Sequence, residues 1–525
     1  MKKSFKYICG LLLISSVISC KKDLDINTNP NQPLVATVNT VLPQAIVATA
    51  NNIAQFNFYG GQVVGYFANG GGVSGWGSIV SYNYQNDEFA GLWANTYDIL
   101  TDVKYVVDQS NGDATKAEFN AAAKVLKAYN FQLLVDTYND VPYTEANLGL
   151  ANVQPKYDKA TDIYKNLADL CDQAITSFKS VTKATPAFVA SDPLFGGSAT
   201  KWAQLANTIK LKLVLKGRGK VTFTNTTFDT AVGFITDDAS VQPGYTKIDG
   251  KQNPAWNRWA YAASGTAVGA ASQYAVTPWI MSFYNGTKLK DATRANLTFK
   301  SGTSTATNQL GYQLSDAGRG ASPSSWFRGT DATTYEHVGI LKGPDASQPI
   351  MLAAESYFLQ AEANLSGLVA GTAATNFDSG VKAAYRYLAT NNAGTVTVTE
   401  QQITDWLASY KTSNINAVTN VGNPLVDFSV ATTDEQRLAA IITQKYLAFN
   451  MTFGHEAWNE FRRTGYPAIV TSGANSSQTF VSTTSQATAA NKLPTRILYP
   501  ITEFKYNAAN IPAADKYTSK IFWAK

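Results

Sequence analysis

Glu355 and Glu362, two carboxylates seven residues apart, form the pair in this sequence that most invites a reading as acid and base. Glycoside hydrolysis needs such a pair across the scissile bond, about 5–5.5 Å apart for retention or 6.5–9.5 Å for inversion. On one helix face these two would lie about 10.5 Å apart along the axis, too wide unless both lean inward. Ion pairing or capping within a scaffold is the better reading, because structural networks engage carboxylates as readily as catalysis does. Gly454-His455-Glu456 opens like a zinc helix, but the second histidine of HExxH would fall where Asn459 stands. The other histidine, His337, is far away in sequence, so no metal site is expected. Gly72-Val73-Ser74-Gly75 fails as a nucleophile elbow because Trp76 takes the final glycine position. No G-x-x-x-x-G-K-[ST] phosphate loop occurs. Arg462 and Arg463 could hold an anion, yet Glu456 and Glu460 sit at neighbouring helical spacings, which favours internal ion pairs. Catalysis has no foothold, and no cofactor is implied.

Binding has one. Between Asn69 and Tyr84, Gly70, Gly71, Gly72, Gly75 and Gly77 are interleaved with Trp76, Tyr82 and Tyr84. Glycines let the backbone turn freely, and aromatic faces offer contact area with few rotamers to freeze. Asn253-Pro254-Ala255-Trp256-Asn257-Arg258-Trp259, with Tyr261, is a second cluster; Trp279 and then Trp326-Phe327-Arg328 follow. The candidate ligand contacts are therefore Trp76, Tyr82, Tyr84, Trp256, Arg258, Trp259, Tyr261, Trp279 and Trp326. Sugar rings stack their C–H faces on such planes while Asn, Gln and Arg meet the hydroxyls; an oligopeptide could use the same surface through its amides. Core packing is the competing role for each tryptophan, since the residue is highly buried on average. Trp93, Trp202 and Trp458 lie in helical patterns and are expected in the core.

These residues need a frame. Ala122, Val125, Leu126, Tyr129 and Leu133 fall on one helix face, as do Trp202, Leu205, Ala206, Ile209 and Leu213, with lysines 201, 210, 212 and 216 on other sides. The spacing predicts helices over 40–68, 86–109, 114–138, 157–181 and 199–217, then 349–367, 375–390, 399–411 and 433–462. Asp158 and Ser198 stand near helix starts, where their oxygens can cap free backbone N–H groups. Between about 240 and 348, Gly, Ser, Thr, Asn and aromatics dominate, predicting loops with short strands. Helix pairs in series suggest a mainly α fold: a TPR-like superhelical scaffold, without a strict repeat of about 34 residues, carrying large loop-rich, aromatic- and Gly-rich insertions.

The beginning of the chain speaks to location. Lys2, Lys3 and Lys6 precede an apolar run from Ile8 to Ile18, shorter than the roughly 20 residues needed to span a bilayer. Residues 1–19 therefore read as a signal peptide. Val17-Ile18-Ser19-Cys20 resembles a lipobox, in which the Cys20 thiol takes a diacylglycerol. Several acyl chains anchor durably, at about 0.8 kcal/mol per buried methylene. Residues 20–38 then form the lipidated start and tether, and 39–525 one domain, with the helical scaffold at about 39–239 and 349–525 and the insertion at about 240–348. After processing, Cys171 is the remaining thiol; it sits in a helical pattern as a small hydrophobe rather than a nucleophile. Loss of Lys2, Lys3 and Lys6 takes the formal charge from +5 to +2, which offers nucleic acid no electrostatic footprint. With 15% charged and 12% aromatic residues, the surface suits neutral ligands.

At this point the chain resembles the SusD/RagB family of nutrient-binding outer-membrane lipoproteins of Bacteroidetes. The resemblance rests on motifs in order along nearly the whole length: Cys20 with Leu24-Asp25, Asp140-Val141-Pro142-Tyr143, Asp192-Pro193-Leu194-Phe195-Gly196-Gly197 and Lys201-Trp202. Ala353-Ala354-Glu355 with Leu359-Gln360-Ala361-Glu362-Ala363, Gln444-Lys445-Tyr446, Trp458-Asn459-Glu460-Phe461-Arg462-Arg463-Thr464-Gly465-Tyr466-Pro467 and Tyr499-Pro500 complete it. The resemblance implies a TPR-like scaffold docked on a SusC-like TonB-dependent transporter in the outer membrane. It further implies that the protein sits outside the cell over the barrel and delivers an oligosaccharide, or alternatively an oligopeptide; a surface glycoside hydrolase is the less favoured reading. Lys21-Lys22-Asp23 departs from the family's more acidic export signals, so outward orientation follows from the resemblance and not from that stretch.

Overall fold

The computed structural model describes residues 36–69, 77–269, 273–299, 310, 337–471 and 474–525. The first half of the scaffold is five helices: α1 (Val38–Val63), α2 (Ala90–Ser110), α3 (Ala117–Tyr138), α4 (Ala160–Lys179) and α5 (Ala199–Gly217). The second half is α6 (Ala353–Leu365), α7 (Ala373–Ala389), α8 (Glu400–Ser413), α9 (Asp434–Ala448) and α10 (Gly454–Thr464). Neighbours in sequence pack as neighbours in space, α1 on α2, α3 on α4, α4 on α5 and α6 on α7, which is the TPR-like arrangement. Long-range contacts of α10 with α1 and of α6 with α5 join the two halves.

The caps explain most boundaries. The Ser198 hydroxyl accepts from Lys201 N at the start of α5, and Thr433 and Gln436 form a capping box at α9. Asp158 does something else: it accepts from the backbone N–H groups of Tyr143 and Thr144, fixing that turn, and Asp140 takes Ala160 N at the start of α4. The helix expected over 433–462 is two. Met451 adopts a left-handed φ of 60° between them, and Asn57 bonds both Met451 O and Gly454 N, at 2.9 Å each. The break lets α10 cross α1 with glycine against glycine. A Cβ on Gly60 would meet His455 N at 2.1 Å, and one on Gly454 would meet Gly61 N at 2.2 Å.

Four short strands accompany the helices: β1 (Phe67–Asn69), after α1, and β2 (Ala239–Val241), β3 (Tyr274–Val276) and β4 (Gln348–Met351), between the halves. They pair antiparallel as β1 with β3 and β2 with β4. Helical turns at Pro254–Trp259, Pro278–Met281 and Ala292–Thr298 accompany them, each capped by the preceding Asn253, Thr277 or Asp291. Pieces this short carry no readable 3.6-residue period, so the pattern predicts loop where proline and a capping side chain set a turn of helix.

The lysines expected on the other sides of α5 are the larger surprise. Lys201 is exposed, but Lys210, Lys212 and Lys216 are buried. Lys212 pairs with Glu355 at 2.9 Å, and Lys216 with both Asp136 and Glu456, at 2.8 and 2.7 Å. Lys445 meets Glu460 at 3.0 Å, and Arg463 spans Glu460 and Glu362, at 2.5 and 2.6 Å. Arg462 donates to the Asp136 carbonyl at 2.7 Å and to Thr495 O at 3.0 Å. Lys212, Lys216, Lys445, Arg462 and Arg463 thus balance Asp136, Glu355, Glu362, Glu456 and Glu460. Burial acts to raise the Glu456 carboxyl, but Lys212, Lys216 and Lys445 outweigh it and hold it well below the usual range. The expected internal pairing of Glu355, Glu362 and Arg463 is what the structure shows. Cys171 is likewise packed in α4, where burial pushes its thiol up and leaves it unreactive.

Removing one member of a buried pair strands its partner at a cost of about 3–5 kcal/mol. Lys216→Met, which strands Asp136 and Glu456, is expected to lower unfolding free energy by about that amount in denaturant titration. Lys104→Ala, which breaks an exposed pair with Asp108, should cost no more than about 1 kcal/mol. Equal effects of the two substitutions would contradict the cluster's role.

Candidate functional site

The glycine crossing fixes where α1 ends, and from there the chain builds a floor of aromatic side chains. Gly65 turns with φ 75°, and a Cβ there would meet Phe480 Cβ at 2.4 Å. The Thr277 hydroxyl donates to the Gly65 carbonyl, which brings β3 alongside β1 in the register Phe67↔Val276 and Asn69↔Tyr274. Tyr446 of α9 ties the arrangement to the scaffold. Its Oη donates to Val64 O at 2.8 Å and accepts from Trp279 Nε1 at 2.9 Å, while Tyr66 Oη donates to its carbonyl at 2.5 Å.

Several residues singled out as ligand contacts turn out to be this floor. Trp259 stacks edgewise on Phe67 and Tyr274, with centroids 4.9 and 5.1 Å apart. Trp256, Trp259 and Trp279 are 2%, 3% and 1% exposed, and Tyr82 and Tyr84 are each 1% exposed. Tyr82 Oη accepts from Ser482 N at 3.1 Å, and the Tyr84 ring meets Phe89 edge-on. The correction is physical: aromatic rings gain by burying their large area, and these five are packed inside with no open face left for a ligand. Trp76 and Trp326 lie outside the described residues, as does Cys20.

Two of the expected contacts remain accessible. Arg258 is half-buried with its guanidinium 4.4 Å above the Phe58 ring, and Tyr261 is half-buried beside Trp256, with ring centroids 5.9 Å apart. A third residue escaped the sequence reading. Lys288 lies in the turn closed by the Asn285↔Lys290 bridge, with its ammonium 3.2 Å from the Trp279 ring centroid and 4.8 Å from that of Phe283. It pairs with no carboxylate among the described residues. Burial pushes its ammonium down to about 7, while the indole face beneath it favours the charged form and works against that shift. A lone lysine after Asn285-Gly286-Thr287 carries no sequence signal that could have marked it.

The segments that leave this floor start and finish close together. Asn69 and Tyr274 are paired, Thr483 N donates to Leu310 O at 3.1 Å, and Gln486 N donates to Ser81 O at 2.9 Å. The arrangement is a helical body with an aromatic platform, beside which Arg258, Tyr261 and Lys288 are the accessible side chains. No helix among the described residues is long and apolar enough to cross a membrane.

A family model described as "Starch-binding associating with outer membrane" matches residues 30–500. The chain belongs to this SusD-like family. Among solved structures, a SusD homologue from Bacteroides fragilis is similar at 18% identity and TM-score 0.66, over 93% of this chain and 99% of that one. A SusD-like protein from Bacteroides thetaiotaomicron gives 20% identity and TM-score 0.66, over 93% and 99%. A chitin-binding SusD homologue from Flavobacterium johnsoniae gives 19% and 0.63, over 92% and 98%. No curated protein matches. At these identities the structures establish the fold, and the family model establishes the membership.

Lys288 gives the site a titration to follow. Its folded pKa lies below the unfolded value of about 10.4, so the unfolded chain binds more protons between the two. This group therefore destabilises the fold fully below about 7, and stability rises with pH across that window. Carbon-13 NMR of reductively methylated protein should show a lysine signal titrating near neutrality that is absent from Lys288→Met, while that of Lys342, which burial also pushes down to about 7, remains. A Lys288 signal titrating with the exposed lysines above about pH 10 would contradict the burial described.

Proposed function

We propose that this protein is a surface lipoprotein, anchored through Cys20, that captures an oligosaccharide and delivers it to a SusC-like TonB-dependent transporter. The observation that carries the reading is the aromatic floor beside which Arg258 and Tyr261 stay accessible, held on a scaffold whose buried charge cluster is already paired. Glu355 and Glu362 are locked to Lys212 and Arg463, so the one tempting acid–base pair serves packing, which supports binding without turnover. The family description and the chitin-binding relative favour a glycan over a peptide. Arg258 and Tyr261 are the described residues best placed to meet it, with one hydrogen-bonding fork and one ring. Trp76 and Trp326, outside the described residues, stay in the proposal as stacking residues. Trp256, Trp259 and Trp279 move from contact to support, since a contact needs an exposed face.

Isothermal calorimetry of the detergent-solubilised mature protein against malto-, chito- and peptide oligomers tests this. Saturable heat is expected with one oligosaccharide class. Trp76→Ala and Trp326→Ala should each weaken it about tenfold or more, the loss of roughly 1.4 kcal/mol of binding free energy. Tyr261→Ala and Arg258→Ala should weaken it less, without change in thermal stability. Trp259→Ala should instead destabilise the fold, by about 3–5 kcal/mol for an aromatic core truncation. Binding of peptides alone, or turnover of a bound oligosaccharide, would overturn the reading.

A further inference from the structure

A second polar cleft lies elsewhere, between α1 and α2, helices that contribute nothing to the ion-pair cluster. Its volume is about 430 Å³, within the usual range for small-ligand sites of about 300–1,000 Å³. Asn51, Asn52 and Gln55 line it from α1, and Asn95, Asp98 and Asp102 from α2. Both sets have the spacing of a single helix face. Ala48 and Ile99 supply its apolar contacts, and no aromatic ring lines it.

Its chemistry is one-sided. Asn52 is 2% exposed, and its Nδ2 donates to Thr96 Oγ1 at 2.8 Å. The Thr96 hydroxyl is itself committed to Leu92 O at 2.5 Å, which fixes the amide's orientation. Asn52 Oδ1 is left as a buried acceptor without a partner, an arrangement that a donor in the cleft would relieve. Asp98 and Asp102 stand one turn apart, a spacing at which like charges repel. Among the described residues neither has an ion pair or hydrogen bond, and the lining contains no lysine or arginine. Arg258 touches Gln55 at 3.5 Å, but its guanidinium lies over Phe58 and pairs with neither carboxylate. Burial, and then Asp98, push the Asp102 carboxyl up. A ligand for this cleft carries donors and positive charge, and anionic ligands are repelled. An alkyl ammonium would lay its methylenes against amides, whereas an ammonium ringed by hydroxyls matches every group present.

We propose that the α1–α2 cleft is a separate subsite for an amino sugar bearing a free ammonium group, which Asp98, Asp102 and Asn52 Oδ1 receive while Asn51, Gln55 and Asn95 meet its hydroxyls. The test is calorimetry of the detergent-solubilised mature protein with fully deacetylated chito-oligosaccharide, its N-acetylated counterpart and a lysine oligopeptide. The deacetylated oligomer should show saturable binding that weakens at least tenfold in D98N/D102N and at about 0.5 M salt, where screening is strong. Both carboxylates are on the outside of α2, and far-UV circular dichroism of the variant should match the parent. The N-acetylated oligomer should bind D98N/D102N and parent alike, which separates this cleft from the aromatic platform. Equal binding of the deacetylated oligomer to parent and variant overturns the proposal. So does tighter binding of the lysine peptide, which assigns the cleft to basic peptides, or a calcium response with no amine binding.

Discussion

Four cations and five anions paired where α3, α5, α6, α9 and α10 meet, with Arg462 on the Asp136 carbonyl beside them, are the constraint on which the rest of this molecule depends. Charges taken out of water are tolerated where opposite charges and hydrogen-bond partners meet them in good geometry. Asp136 shows how completely that is met: besides Lys216 it accepts from the Tyr164 hydroxyl, from Trp523 Nε1 at 2.9 Å and from Asn459 at 3.3 Å. Such a cluster does not tolerate sliding. A helix shifted by one turn would leave charges unpaired in the interior, so the cluster fixes the relative register of helices drawn from both halves of the chain.

That register reaches the outer face through two short links. Lys445 and Tyr446 are adjacent on α9, one held by Glu460 and the other bonded to Val64 O and Trp279 Nε1. Glu456 and Gly454 share the first turn of α10, one inside the cluster and the other pressed against Gly61. The aromatic platform is thus positioned by the same two helices that carry the charges. Side chains at the platform can change without disturbing the ion pairs that position it.

The sequence disclosed this design unevenly. Long amphipathic stretches such as Ala160–Lys179 were legible because a 3.6-residue period sustained over about five turns fits a helix and little else. The split between Ala448 and Gly454 was not, since what breaks the helix is a contact with Asn57 and Gly60, nearly four hundred residues away. Glu355, Glu362 and Arg463 read correctly as ion-paired, yet Lys212 and Lys216 read only as lying off the apolar face, because a lysine's partner is visible only once the helices are assembled. The tryptophans misled for a related reason. A Trp among Gly, Asn and Pro looks like a binding platform, but Trp256, Trp259 and Trp279 sit on capped turns that aim them inward, and the capping residues were the overlooked signal. Arg258 and Tyr261 kept their accessible positions because their polar ends cannot be buried as cheaply.

Hydrogen–deuterium exchange with and without the oligosaccharide that binds in calorimetry tests the central claim most directly. New protection is expected in peptides covering residues 66–84, 256–288 and 310–337, with α3, α5, α6, α9 and α10 unchanged because their charges are already satisfied. Protection concentrated in those five helices, with none over the aromatic platform, would contradict this and would place recognition in the cluster itself.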